Sequence, residues 1–154
     1  MNLTYKKATI EDLDQLTETR IEVLRAANKL SADVDMTEVE KNSYEYYCKA
    51  LQDGSHTAYL VFDGDRFVGA GGVSYFRVMP TYHNSGGYKA YIMNMYTHPE
   101  YRRNGIAITT LGMLVEDAKN RGINAISLEA TDMGKPLYEK FGFVKMNDEM
   151  ELKV

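Results

Sequence analysis

The sequence predicts an α/β fold in which a mixed, mostly antiparallel sheet of six to seven strands carries helices on both faces. Three observations predict it. Strand-like and helix-like segments follow one another as β-α-α-β-β-β-α-β-α-β-β, with no repeat, linker or low-complexity tract to divide them. Residues 57–62 and 67–76 are apolar runs separated by Asp63-Gly64-Asp65, a turn short enough to impose an antiparallel hairpin. Residues 91–97 and 125–130 are joined through a helical segment instead, so those two strands run parallel. At 154 residues, 44% apolar and 26% charged, the chain is expected to form one domain, 1–154, with enough material for one core.

Residues 3–8 alternate and form the first strand. Thr9, followed by Glu11 and Asp12, supplies a hydroxyl cap and an acidic first turn. The helix it opens runs to about residue 27, with Ile10, Leu13, Leu16, Ile21 and Leu24 on its apolar face. After a polar loop, a second helix over 36–51 carries Val39, Tyr44, Tyr47 and Leu51 and stops before Asp53-Gly54. Past the hairpin, residues 80–87 are a run of turn formers. Thr131-Asp132-Met133-Gly134 bounds the fifth strand, and a short helix follows with Pro136 near its start and Gly142 at its end. Residues 143–146 and 149–154 are expected as two closing strands around Asn147-Asp148.

The most informative stretch is 91–122. Tyr91, Ile92, Met93, Met95 and Tyr96, ended by Pro99, read as a strand buried on both faces. Ala107, Leu111, Leu114, Val115 and Ala118 then fall on one face of a helix that Gly122 terminates. The first amides of a helix lack intrahelical partners and sit at the positive end of its dipole, so a glycine-bearing turn there makes an anion cradle. Gly105 and Ala107 leave room for a pyrophosphate to reach the amides of Arg103, Asn104, Gly105, Ile106, Ala107 and Ile108, while Arg102 and Arg103 add positive charge. Other phosphate loops fit badly: G-x-x-x-x-G-K-[ST] is absent, and Gly69, Gly71 and Gly72 lack the spacing and following helix of a dinucleotide turn.

Arg102-x-x-Gly105-x-Ala107 resembles the R/Q-x-x-G-x-G/A loop of the GNAT acetyltransferase superfamily. Gly134-x-x-Leu137-Tyr138-Glu139-Lys140-Phe141-Gly142-Phe143 is similar to that family's A-x-x-L-Y-E-K-x-G-F segment, and the two motifs occur in the family's order. The resemblance implies the GNAT fold, with the fourth and fifth strands splaying apart at their C-terminal ends, and acetyl-coenzyme A-dependent N-acetyltransferase activity. It implies that the 102–108 loop holds the pyrophosphate of acetyl-coenzyme A. The pantetheine arm would lie along Met95, Tyr96 and Thr97, with the Met95 N–H toward the thioester oxygen. Tyr138 would protonate the departing thiolate, since a phenol with a reference pKa of ~10 stays protonated at neutral pH. Thr131 and Gly134 are the remaining cofactor positions. Thr131 stands where many members have an asparagine, so that contact is shortened or lost, and Ala107 replaces the more frequent second glycine.

For the general base, Glu129 is favoured, facing opposite to Ile126 and Leu128 on the fifth strand; Asp132 and His98 are further candidates. His98, between Thr97 and Pro99 at the strand end, reads as a turn residue ahead of a catalytic one, and His56 and His83 are expected to be exposed. Cys48 lies on a tyrosine-rich helix with no histidine near it in sequence, and reads as a small buried hydrophobe rather than a nucleophile. Tyr44, Tyr46 and Tyr47 either pack in the core or wall an acceptor pocket. No Cys, His or Asp cluster has metal-ligand spacing, so no metal is expected.

A net charge of −4 gives no basic surface for nucleic acid. No apolar run is long enough for a membrane span, residues 1–13 lack a signal-peptide core, and a single cysteine excludes an internal disulfide; a cytoplasmic protein is expected. An acidic body with a basic cofactor groove favours a cationic acceptor, a small-molecule amine attacking directly in a ternary complex. A homodimer is the family-based expectation. Two alternatives stand beside this: a non-catalytic acyl-coenzyme A-binding or sensor module, and an acetyltransferase acting on a protein N-terminus or lysine.

Overall fold

The computed structural model describes residues 1–154. Its elements are β1 (Leu3–Lys7), α1 (Leu13–Asn28), α2 (Thr37–Asp53), β2 (His56–Asp63), β3 (Arg66–Arg77), β4 (Tyr88–Thr97), α3 (Ile106–Asn120), β5 (Ile126–Leu128) and α4 (Lys135–Phe141). A 3₁₀ turn over Ile10–Asp12 leads into α1, and another over Pro99–Tyr101 follows β4. The sheet has five strands in the order β1-β2-β3-β4-β5. Neighbours from β1 to β4 pair antiparallel, while β5 runs parallel to β4, as the helical connection requires.

Both faces of the sheet are covered, which is why β3 and β4 read as nearly continuous apolar runs. On one face Val73, Tyr75, Ala90 and Ile92 pack against Leu111, Leu114, Val115 and Ala118 of α3. On the other, Ala58, Leu60 and Ala70 meet Leu13, Leu16 and Val23 of α1 and Tyr47 of α2. Each large aliphatic side chain so buried contributes about 1.5–3 kcal/mol. The start of α1 is fixed locally: Glu11 N–H donates to Thr9 Oγ1 at 3.3 Å, and Thr9 N–H donates to Asp12 Oδ2 at 2.8 Å. Helix α3 approaches the sheet closely because Gly71 has no side chain; a Cβ there would lie 2.6 Å from Thr110 Cγ2 and 2.8 Å from Met95 Sδ.

The expected closing strands are absent, so the sheet stops at five rather than six or seven. Residues 143–154 are irregular, and Val144, Met146, Met150 and Leu152 are exposed. Their alternating pattern suits a strand, but β5 is only three residues long. Its outer edge offers too few backbone groups to align two more strands. Residues 80–87, by contrast, lie within the connection of a hairpin in which β3 and β4 pair from Arg77↔Tyr88 onward.

Candidate active site

The site is built around the end of β4. Pairing with β5 covers only Ala90, Tyr91 and Ile92, whereas β4 continues to Thr97. Residues 93–97 therefore present an edge without a strand beside it, and the two parallel strands part there. On the opposite edge the ladder to β3 is irregular between Ala70 and Gly72, and Asn94 sits at the irregularity with a left-handed φ of 59°. An extra residue at that point shifts the alternation of side chains. Met95 thus joins the α3-side cluster, while Tyr96 stacks on Phe67 across the other face, ring centroids 5.9 Å apart. Thr97 Oγ1 is buried with no hydrogen-bond partner.

The chain then turns through Pro99–Tyr101. His98 is the cap, its Nδ1 accepting from the Glu100 N–H at 3.2 Å, and Tyr101 is anchored by its hydroxyl to Asp63 Oδ2 at 2.6 Å. Arg103 and Gly105 both adopt left-handed backbone, at φ 65° and 77°. Gly105 caps α3, with nothing within 4 Å of where its Cβ would be, so backbone conformation alone is enough to require glycine there. No backbone N–H from Arg103 to Ile108 donates a hydrogen bond within the protein. Asn104 folds back, its Nδ2 donating to the carbonyls of Tyr101 and Arg102 at 3.0 and 3.2 Å. The arrangement leaves a row of free donors at the positive end of a fifteen-residue helix, with the exposed Arg102 and Arg103 beside it. Ile106 pins this end to the sheet by packing on Val61 and Val68.

Helix α4 closes the α3 side of the gap. Leu137, Tyr138 and Phe143 pack on the same cluster as Met95, Ile126 and Leu128. Gly134 makes room for the Tyr138 ring, since a Cβ there would lie 2.9 Å from Tyr138 Cε2. Thr131 Oγ1 accepts from the Gly134 N–H at 3.1 Å and so serves the entry to this helix. The Tyr138 ring meets Phe143 edge-on, and burial pushes its phenol above the ordinary tyrosine range. Glu129 lies exposed just beyond β5 and neighbours Tyr91, whose phenol is raised by burial and then by that carboxylate.

On the opposite side of β4 a cavity of about 260 Å³ opens between the sheet and the helices α1 and α2, lined by Arg20, Tyr46, His56, Ser74, Met93 and Asn94 among others. His56, expected at the surface, is 6% exposed. Its ring lies over Gly72, where a Cβ would come within 2.8 Å of Nε2. Tyr46 Oη is 2.9 Å from His56 Nδ1 and 2.7 Å from Ser74 Oγ, while Nε2 has no partner. Burial, with the Arg20 charge adding to it, pulls the imidazole down to about 4, so it is neutral at physiological pH. Arg20 donates to Asn94 Oδ1 at 2.8 Å. The tyrosine cluster therefore divides: Tyr47 packs in the core and borders the cavity together with Tyr46, while Tyr44 is exposed.

The profile of the Acetyltransferase (GNAT) family matches residues 21–143. The chain belongs to the GNAT acetyltransferase family. Among solved structures, a predicted acetyltransferase from Clostridium acetobutylicum, determined with acetyl-CoA, is similar at 31% identity over 98% of this chain and 96% of that one, with a TM-score of 0.88. A GCN5-related N-acetyltransferase from Ralstonia eutropha JMP134 shares the fold at 23% identity, over 99% of each chain, with a TM-score of 0.84. No curated protein sequence matches significantly.

Within this GNAT chain, the sequence-predicted positions gather in three places: the free edge at Met95, Tyr96 and Thr97, the loop 102–108, and the α4 entry at Thr131, Gly134 and Tyr138. Glu129 lies exposed one residue past Leu128, which pairs with Ile92 of β4. Sequence reasoning missed Arg20, His56, Ser74 and Asn94. Cys48 is half-buried beside the α1 and α2 core. His83 is exposed, and no helix is long and apolar enough to cross a membrane.

Proposed function

We propose that this GNAT protein is an acetyl-coenzyme A-dependent N-acetyltransferase that acts on the primary amine of a small molecule. The reading rests on the unbonded amides of residues 103–108 at the head of α3. These donors, framed by Arg102 and Arg103, fit a pyrophosphate in charge and in hydrogen-bonding capacity. The unpaired β4 edge over 93–97 fits an extended arm that adds to a sheet through its main-chain groups, and the orphaned Thr97 hydroxyl supplies a further polar contact. The similar Clostridium acetobutylicum protein was solved with acetyl-CoA. When bound, acetyl-coenzyme A supplies the acetyl group as an activated thioester.

In this scheme the 102–108 loop would hold the pyrophosphate and the β4 edge the arm, beside the 260 Å³ cavity that would take the acceptor amine. The Met95 N–H would stabilise charge on the thioester carbonyl oxygen. For transfer from the thioester to an amine, with an N–C bond formed and the C–S bond broken, Glu129 would take the proton from the nitrogen through water and the Tyr138 phenol would give one to the leaving sulfur. Burial keeps that phenol protonated at neutral pH. Attack by the nitrogen would be direct, without an acyl-enzyme, since Cys48 is packed beside the α1 and α2 core.

The test is calorimetric titration of acetyl-coenzyme A together with free-thiol release across an amine panel. Micromolar binding with thiol release dependent on one class of amine is expected. Tight binding with no turnover on any amine, and no change on Tyr138→Phe, would overturn the catalytic reading in favour of a coenzyme A sensor.

A further inference from the structure

The cavity against α1 and α2 has an unusual charge for this protein. The chain carries a net charge of −4, yet no carboxylate lines the cavity and its one charged side chain is Arg20. Arg20 occupies the buried stripe of α1, in step with Leu13, Leu16 and Val23. It forms no ion pair, in contrast to Arg66, which pairs with Glu100 at 2.5 Å, and Arg121, which pairs with Asp117 at 3.2 Å. Its one hydrogen bond is to Asn94 Oδ1, so the remaining guanidinium donors are uncommitted. A half-buried guanidinium held away from carboxylates is costly unless something compensates it. His56, the other basic group facing the cavity, is neutral, so the lining carries a single positive charge and an array of hydroxyl and amide groups.

Position adds to charge. Asn94, which orients the guanidinium, is the residue at the β4 irregularity, next to Met95 and the free edge. A ligand anchored on Arg20 is thereby held beside the strand end to which the acetyl group is assigned above. The volume, about 260 Å³, lies just below the ~300–1,000 Å³ usual for ligand pockets, which suits a small acceptor. Long polycationic chains match neither the size nor the sign, and folded peptides do not match the size.

We infer that the acceptor is a small amine that also bears an anion, a carboxylate or a phosphate, gripped by Arg20 in the cavity between α1, α2 and β4. This deepens the N-acetyltransferase reading and rests on it for the chemistry of the amine, but the anion grip stands on Arg20 itself. It replaces the cationic acceptor suggested by overall charge, because the local lining and not the outer surface meets the ligand.

Two arms test it. In the first, acetylation rates are compared for glycine and β-alanine, for phosphoethanolamine, for the neutral glycinamide and ethylamine, and for putrescine. The anionic amines are expected to exceed the neutral ones by roughly 30- to 100-fold in kcat/KM, the size of a charge-assisted hydrogen-bond pair. The carboxylate and phosphate members separate the two anions. Arg20→Gln should remove that advantage through KM, Arg20→Lys should retain part of it, and Arg20→Glu should turn the preference toward putrescine, while acetyl-coenzyme A affinity stays unchanged in all three. In the second arm, binding of the same amines is titrated in the presence of desulfo-coenzyme A. Arg20-dependent binding of an anionic amine without turnover would keep the anion site and overturn the transferase reading. Turnover of neutral or cationic amines, equal in wild type and Arg20→Gln, would overturn the anion site and keep the transferase. Failure of every anionic amine both to bind and to react would overturn the inference outright.

Discussion

The hydroxyl of Tyr46 lies 2.9 Å from Nδ1 of His56, and the other nitrogen of that ring is buried against Gly72 with no partner. The imidazole is thus accommodated as a neutral group, and protonating it would bury a charge beside Arg20. Its folded-state pKa of about 4 lies below the ordinary 6.5. The unfolded chain therefore binds more protons between these values, and stability falls as pH drops from about 6.5 to about 4. The loss expected is about 3 kcal/mol, from about 1.4 kcal/mol per pH unit. Urea unfolding at pH 7.0, 5.5 and 4.5 should show it, and His56→Gln should flatten the slope in that window. An equal slope in the variant would assign the loss elsewhere.

A second pH effect lies lower. Asp117 on α3 is partly buried, which raises its carboxyl, but hydrogen bonds from the Tyr75 and Thr57 hydroxyls and the Arg121 charge outweigh this and hold it below the usual carboxylate range. A depressed carboxyl stabilises the fold above its unfolded pKa, and that contribution is lost as pH falls below about 4. Asp117→Asn should weaken the fold at pH 7 by about 1–3 kcal/mol, the cost of disturbing a partly buried network. The difference from wild type should shrink toward pH 3 in thermal melts.

Much of this was legible in the sequence. The hairpin at Asp63-Gly64-Asp65, the parallel β4 and β5, and the glycine turn ahead of α3 follow from turn chemistry and periodicity, and all are present. The cavity residues were missed, although three of them left signals of another kind. His56, expected at the surface, keeps step with Ala58 and Leu60, which face the α1 and α2 core, and that alternation is the signal that would have placed it inside. Arg20 keeps step with Leu13, Leu16 and Val23, a charge in an apolar stripe. Asn94 breaks the run Tyr91-Ile92-Met93-Asn94-Met95-Tyr96 where the strand acquires its irregularity. The closing strands misled because alternation reports only which face a residue would take. Whether a partner edge exists depends on β5, whose short length is a tertiary outcome.

Gly105 and Gly71 separate conformation from space. Gly105→Ala places a methyl in open space but strains a backbone at φ 77°, a cost of about 1 kcal/mol. Gly105→Glu adds a negative charge at the amides of residues 103–108, and acetyl-coenzyme A affinity should drop at least about 100-fold while the circular dichroism spectrum is retained. Unchanged affinity would move the pyrophosphate site away from this loop.

Gly71→Ala should act on stability instead. Its Cβ would meet Thr110 Cγ2 at 2.6 Å and Met95 Sδ at 2.8 Å, so α3 must shift from the sheet. Overpacking of this kind costs about 1–3 kcal/mol. Gly112→Ala is the control, since it lies within α3 with nothing within 4 Å of its Cβ position. It should stabilise by about 0.5–1 kcal/mol. Thermal denaturation of the pair should therefore shift in opposite directions.

Tyr138→Phe isolates the proposed proton donor. The ring packs with Leu137 and Phe143 against the α3-side cluster, an interaction phenylalanine preserves, and burial alone, with no hydrogen-bond partner, perturbs the hydroxyl. Removing it should therefore leave the melting temperature and acetyl-coenzyme A affinity close to those of the wild type. If the phenol protonates the leaving sulfur, kcat should fall by roughly 10²-fold, within the range for losing a general acid. The phenol is raised by burial, so any basic-limb decline of kcat that it causes should begin above the ordinary tyrosine range and vanish in the variant. A kcat within twofold of wild type would remove Tyr138 from the chemistry and leave it as packing alone.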